Sequence, residues 1–340
     1  MKKYIYSICF SSVLAAFTLF VVLDTFVISR PMEYVHEQIN TSMFSKSQSG
    51  SIADDITNDT DSAKTDSADT SDLQSDSTTG TSEEENSDSS EKSSISDGAE
   101  LIGEYQNDQA SIRLYKYYYE STTVYTADIV VSSSEYIKTA FANDYYGKNV
   151  TDKTSSIAQQ NNAILAINGD YYGARENGYV IRNGVVFRDT NGGRDLLCLY
   201  ADGTMKIVNS GDQTAQELVD SGVWQAFSFG PALVQNNQVD VTVNQEVGKA
   251  MASNPRTAVG MIDTNHFVFV VSDGRTTESK GLSLYQLATF MKNIGVNTAY
   301  NLDGGGSSTL YFNGEIINYP TTSGRSLKER GVSDIVYIGQ

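Results

Sequence analysis

Histidine is nearly absent from this chain of 340 residues; only His36 and His266 occur. A Ser-His-Asp triad, a Cys-His pair or a multi-histidine zinc site would have to be built on His266, and no ligand-spaced cluster surrounds it. Cysteine is as scarce. Cys9 falls in an N-terminal apolar run and Cys198 in the globular part, so no disulfide can form within an outer domain. Flanked by Leu197 and Leu199, Cys198 reads as a small buried hydrophobe rather than a reactive thiol. Lys and Arg number 24 against 42 Asp and Glu, a formal net charge of -18. There is no basic stripe, which argues against a nucleic-acid partner.

The charge is unevenly spread. Residues 47–100 are Ser, Thr, Asp and Glu with few large apolar groups, and they carry about −13 of the total. Such composition buries too little apolar surface to offset chain entropy, so a disordered tether is expected over residues 31–100. Before it, Lys2 and Lys3 precede apolar residues 4–23, long enough as a helix to cross a ~30 Å hydrocarbon core. No small-x-small cleavage site follows, which favours a retained anchor over a cleaved signal peptide. The lysines before the run and the acidic segment after it place the rest outside the cytoplasm. The expected organisation is a cytoplasmic tip and transmembrane anchor over 1–30, a linker over 31–100 and a catalytic domain over 101–340.

That domain reads as α+β, a mixed, largely antiparallel sheet core with a few flanking helices. Residues 112–119 and 123–131 alternate aromatic or β-branched with polar side chains, and further strands are expected at 163–167, 224–229, 257–262 and 267–271. Asn183-Gly184 and Asn313-Gly314 each sit between apolar runs as two-residue hairpin turns. Ser283 with Gln286 forms a capping-box pattern, Leu284, Leu287, Ala288 and Met291 share one helical face, and Gly295 ends the helix. A strand over 296–302 follows and delivers a glycine-rich turn.

With histidine scarce, chemistry falls to carboxylates, arginines and amides concentrated in four loops at strand ends: Asn168-Gly169-Asp170-Tyr171-Tyr172, Asn254-Pro255-Arg256-Thr257, Ser272-Asp273-Gly274-Arg275 and Asn301-Leu302-Asp303-Gly304-Gly305-Gly306-Ser307-Ser308. The glycine turn can offer successive N–H groups to an anion such as phosphate, because glycine tolerates positive φ. Arg256 and Arg275 suit bidentate phosphate contacts, unless they pair with Asp263 or Asp273 as ordinary ion pairs. Arg325 and Arg330 lie in a loop before the last strand, where substrate-facing and solvated readings stand level. Asp303 and Asp170 suit acid–base or electrostatic work at an anomeric centre, against the competing reading of Asx turns. The tyrosines at 115 and 117–119 read as sheet-face packing, with a sugar-binding surface as the alternative.

In this order the four segments resemble the phosphodiester glycosidase family, whose bacterial members include exopolysaccharide-associated proteins. The most specific piece is Asn301 to Thr309, supported by Asn168-Gly169-Asp170-Tyr171, by Pro255-Arg256-Thr257-Ala258-Val259-Gly260 and by Asp273-Gly274-Arg275 ahead of Gly281-Leu282-Ser283-Leu284. The resemblance implies hydrolysis of the bond between a sugar's anomeric carbon and a phosphate oxygen. Asp303, Asp170 and Asp273 are then the catalytic candidates. Asn168, Arg256, Arg275, Gly304, Gly305, Ser307, Ser308 and Arg325 are the candidates for holding substrate and phosphate. No cofactor or metal is required, although Ca²⁺ or Mg²⁺ at Asp303 or Asp273 stays open. The expected partner is a phosphate-linked glycan of the cell envelope, with the membrane reached through the N-terminal helix. Two other readings compete: a non-catalytic glycan-binding module, and a metal-dependent phosphodiesterase cutting the P–O bond.

Overall fold

The structure, a computed structural model, describes residues 2–32, 42–44, 94–247 and 253–339. Its largest element is an eight-stranded sheet in the order Gln238–Val239, Ala232–Gln235, Thr298–Asn301, Arg256–Asp263, His266–Ser272, Thr122–Val131, Ala110–Tyr119 and Glu100–Gln106, every pair antiparallel. Because side chains alternate across a strand, each long strand feeds two cores. Ile112, Leu114, Ile129, Phe267 and Phe269 face one core, while Tyr115, Tyr117, Val124, Val268 and Val270 face the other. Alternation in residues 110–131 is therefore a two-sided burial pattern, and Tyr115 and Tyr117 belong to the core.

The second core is closed by the helix Leu284–Asn293, whose Leu284, Leu287, Ala288 and Met291 are all wholly buried. Burying each larger side chain contributes about 1.5–3 kcal/mol. The capping box forms as expected: Ser283 N donates to Gln286 Oε1 at 2.9 Å and Gln286 N to Ser283 Oγ at 3.1 Å. Gly295, at φ 91°, ends the run.

Two five-stranded sheets share the first core. One runs Glu315–Ile316, Leu310–Phe312, Ala163–Asn168, Asp334–Gly339, Lys138–Phe141; the other runs Met205–Asn209, Asp195–Tyr200, Val223–Phe227, Val180–Arg182, Val185–Arg188. Both expected hairpin turns are present, with positive φ at Asn183, Gly184, Asn313 and Gly314 as this turn class requires. Cys198 is buried in its strand, and burial pushes its thiol up to about 12, so it stays protonated at neutral pH.

At the N-terminus the helix Lys2–Phe26 contains an unburied stretch, Ile8–Thr25, of mean hydropathy 2.0, long and apolar enough to cross a membrane. The chain beyond it does not leave the domain at once. Arg30–Pro31 pairs with Gly147–Lys148, and Asn149 Nδ2 donates to Thr25 O and Ile28 O. Met43 is buried, and Phe44 meets Trp224 edge-on at 5.0 Å. Parts of the segment expected to be linker thus pack on the globular domain; its acidic stretch over 45–93 lies outside the described residues.

Candidate active site

The strand Thr298–Asn301 lies beside Arg256–Asp263, so Leu302-Asp303-Gly304-Gly305 emerges next to Arg256. Gly305 N donates to Pro255 O at 2.8 Å and Leu302 N to Thr257 O at 2.9 Å, which stitches the two motifs together. The loop after His266–Ser272 brings in Arg275, and the chain before the last strand brings in Arg330. These segments enclose a cleft of about 310 Å³ lined by Arg256, Arg275, Arg330, Asp303, Gly304 and Gly305, with Phe229 and Val247 as an apolar wall.

Three guanidiniums and two carboxylates meet there. Arg330 Nη2 donates to Asp303 Oδ2 at 2.9 Å and its Nε to Ser307 Oγ at 2.8 Å. Arg256 Nη2 donates to Glu246 Oε2 at 2.8 Å and its Nε to Leu282 O at 2.8 Å. Arg275 donates to Thr322 O at 2.8 Å and to Asn254 Oδ1 at 2.9 Å. Among the described residues no carboxylate lies within ion-pair distance of Arg275. Neither arginine takes the Asp263 or Asp273 partner weighed from the sequence.

Electrostatics follow from this crowding. Burial lowers the Arg275 guanidinium from its ordinary value, and the positive fields of Arg330 and Arg256 lower it further, the signature of a site short of negative charge. Burial pushes the Asp303 carboxyl up, against the pull of Arg330 and of the Ser307 hydroxyl. Gly305 sits at φ 64°, and a Cβ there would stand 2.9 Å from Arg275 Nη2, so the glycine is what lets the guanidinium lie against the turn.

The turn itself is not an open nest of amides. The N–H groups of Gly305, Ser307 and Ser308 donate to Pro255, Gly304 and Gly305 carbonyls, and Gly306 O accepts from Arg330 N at 3.2 Å. The turn acts as a brace for arginines. Arg330 is fixed again through Glu329, whose carboxylate accepts from Ser155 N at 2.9 Å and Ser155 Oγ at 2.5 Å at the start of the helix Thr154–Gln160.

Other candidates from the sequence lie behind the cleft. Asn168 Nδ2 donates to Asp303 O at 2.6 Å, and its Oδ1 accepts from Thr257 Oγ1 at 2.8 Å and Thr309 N at 3.3 Å. It clamps three motifs. Asp170 is 2% exposed; its Oδ1 lies 2.9 Å from Arg182 Nη2 and its Oδ2 accepts from Ser228 N at 3.0 Å. Arg182 also donates through Nε to Asp334 Oδ2 at 2.8 Å, forming a fully buried Asp-Arg-Asp cluster. Asp170 is thus a buried ion-pair residue outside the cleft lining.

Asp273 also faces away, accepting from Tyr319 N at 2.7 Å and Asn318 Nδ2 at 3.3 Å; burial pushes its carboxyl up and those donors oppose the shift. Ser308 is wholly buried, and Arg325 is exposed and outside the cleft lining. Of the loop's two arginines it is Arg330 that enters the site. Glu246 was missed entirely, since it stands in none of the four motifs. His266 Nε2 lies 2.6 Å from Asp128 Oδ1 on a neighbouring strand, outside the cleft lining. Among the described residues no three His, Cys, Asp or Glu side chains converge as metal ligands would.

A profile of the phosphodiester glycosidase family matches residues 161–339. An SPbeta prophage-derived uncharacterized protein of Bacillus subtilis is 29% identical over 182 residues, 51% of this chain and 28% of that protein. The N-acetylglucosamine-1-phosphodiester alpha-N-acetylglucosaminidase of Mus musculus is 31% identical over 109 residues, 31% of this chain and 21% of the enzyme. The aligned parts thus span well under half of either relative. The catalytic domain of the zebrafish N-acetylglucosamine-1-phosphodiester alpha-N-acetylglucosaminidase, auto-inhibited by its pro-peptide, has a TM-score of 0.54 at 20% identity, covering 71% of this chain and 87% of that one. A hypothetical protein from Synechocystis has a TM-score of 0.53 at 12% identity, with 70% and 63% covered. At such identities these two likenesses are of fold.

Proposed function

The chain belongs to the phosphodiester glycosidase family, and from that membership we propose that its cleft hydrolyses the C1–O bond of sugar-1-phosphodiesters, giving a free sugar and a phosphomonoester. One observation carries the proposal. Two of the three guanidiniums in the cleft are neutralised by Glu246 and Asp303, and among the described residues Arg275 has neutral partners only. One uncompensated cation in a half-enclosed cleft fits one phosphodiester monoanion.

The phosphate seats on Arg275, with Arg256 and Arg330 alongside, and the sugar ring lies toward Phe229 and Val247. Guanidiniums stabilise the charge that builds on the departing phosphate oxygen. A phosphate is already a good leaving group, so little general-acid help is needed and the lack of histidine costs nothing. Asp303 opposes the positive charge that develops at the anomeric carbon. The reaction needs no metal in this scheme, because arginine supplies the positive charge, and EDTA is expected to leave the rate unchanged.

The apolar N-terminal helix and the acidic segment after it support a membrane-held, extracytoplasmic domain acting on phosphate-linked glycans of the cell envelope or exopolysaccharide. The test is the purified protein with a panel of sugar-1-phosphate methyl diesters. Wild type is expected to release reducing sugar and methyl phosphate, and Asp303→Asn to lose most turnover while keeping its melting temperature. Wild-type rates in Asp303→Asn discard its catalytic role, and release of methanol in place of methyl phosphate discards the bond assignment.

A further inference from the structure

A second chamber of about 280 Å³, lined by Arg194, Pro231, Gln245 and Glu246, adjoins the cleft. The two share Phe229 and Val247 as a common wall. Glu246 belongs to both in effect: its residue lines the second chamber while its carboxylate reaches Arg256 in the first. A substrate with its phosphate among the arginines and its sugar beyond Phe229 has its scissile bond at this junction.

Glu246 is held there on both sides. Val241 is buried in the second core and Asp240 N donates to Leu233 O at 2.9 Å, while Val247 packs against both main cores. Between these anchors Thr242 and Gln245 close a turn, with Gln245 N donating to Thr242 O at 3.1 Å and Thr242 N to Gln245 Oε1 at 3.1 Å. The Glu246 side chain is 18% exposed, so it is largely withdrawn from bulk solvent without being sealed off.

We propose that Glu246 is the second catalytic carboxylate, the base that takes a proton from the water attacking the anomeric carbon. The assignment rests on the function proposed above. As the water oxygen bonds to C1, the C1–O bond breaks and its electron pair leaves on the phosphate oxygen. The proton passes to the Glu246 carboxylate and from there to solvent, leaving a free sugar and a phosphomonoester. Arg256 keeps the carboxylate aimed by its 2.8 Å bond.

Glu246→Gln tests this, because the amide oxygen can still accept from Arg256 and a purely structural ion-pair role is largely preserved. On whichever methyl diester wild type turns over, kcat is expected to fall about 100-fold or more with KM little changed, within the range for a lost general base. In Glu246→Ala, sodium formate is expected to restore part of kcat, which a structural role does not allow. If wild type is active and Glu246→Gln keeps kcat within about threefold, or exceeds it, the assignment is wrong and Glu246 is a counter-ion or a competitor for the phosphate seat. If wild type turns over no member of the panel, the proposed function itself fails and the assignment goes with it.

Discussion

Replacing Gly305 with alanine strikes the contact between the glycine turn and Arg275. Two effects follow, of different size and on different observables. The backbone at φ 64° becomes strained for an L side chain, at about 1–2 kcal/mol, which lowers Tm by about 2–4 °C per kcal/mol for a domain of this size. The added Cβ also stands 2.9 Å from Arg275 Nη2, too close to stay. Because the intruded atom ends a flexible side chain, the guanidinium moves and the fold survives. Displacing its charge from ~4 to ~6 Å from the phosphate reduces the attraction from about 4 to about 3 kcal/mol at an effective dielectric of 20, roughly tenfold in affinity. Misalignment from Thr322 O and Asn254 Oδ1 adds to that. Steady-state kinetics on a sugar-1-phosphate methyl diester should show kcat/KM reduced about 10–100-fold, and thermal melting should show a shift of only a few degrees. In an Arg275→Met background the glycine substitution should cost no further kcat/KM. A Gly305→Ala protein that melts lower yet keeps wild-type kcat/KM would remove Arg275 from the phosphate seat.

Three further outcomes test the scaffold. Arg182→Met strands Asp170 and Asp334, both buried, and is expected to cost about 3–5 kcal/mol in urea denaturation; a loss under 1 kcal/mol would mean that the cluster is not an ion-pair core. Asn168→Ala removes the donor to Asp303 O and the acceptor for Thr257 Oγ1, for about 2–4 kcal/mol and a clear loss of turnover; intact turnover would free Asp303 from this clamp. Burial pushes the Asp334 carboxyl up to about 7 against the pull of Arg182, and its neighbour Asp170 adds to the rise. Its folded form therefore favours the proton, and the associated stability is present below the unfolded carboxyl range near ~4 and is lost as pH rises through the folded value. Asp334→Asn should match wild type near pH 4 and become relatively more stable toward pH 8, by at most about 1.4 kcal/mol per pH unit; a difference in melting temperature that does not change with pH contradicts this.

Much of the fold was legible because its signals are local. A turn with positive φ selects Asn-Gly, a helix start selects Ser with Gln three residues on, and a strand in a sheet covered on both faces selects alternation of two apolar sets, as in Ile112, Leu114 and Tyr115, Tyr117. The short helices Thr154–Gln160 and Ala215–Asp220 escaped because neither is long enough to show a period; tertiary partners such as Glu329 hold the first in place. The site was legible as a set of loops but not as a division of labour. Asp170 and Asp273 stand among the catalytic candidates and Asn168 among those for holding substrate, and the structure gives all three buried polar partners outside the cleft lining, since a buried clamp and an active-site group draw on the same polar residues. Only burial and partners tell them apart. Arg330 shares the loop ahead of the last strand with Arg325, and with nothing in the sequence to favour it, Arg325 stands among the candidates in its place. Glu246 carried no signal, because it lies in a loop outside every motif and only the anchoring of Val241 and Val247 sets its position.

Hydrolysis in ¹⁸O-labelled water, followed by mass spectrometry of both products, reports directly which bond the arginine cleft breaks. Attack at the anomeric carbon puts the label in the released sugar and none in the phosphomonoester. Label in the phosphomonoester would mean attack at phosphorus, and neither the seating of the phosphate on Arg275 nor the role given to Asp303 would survive it.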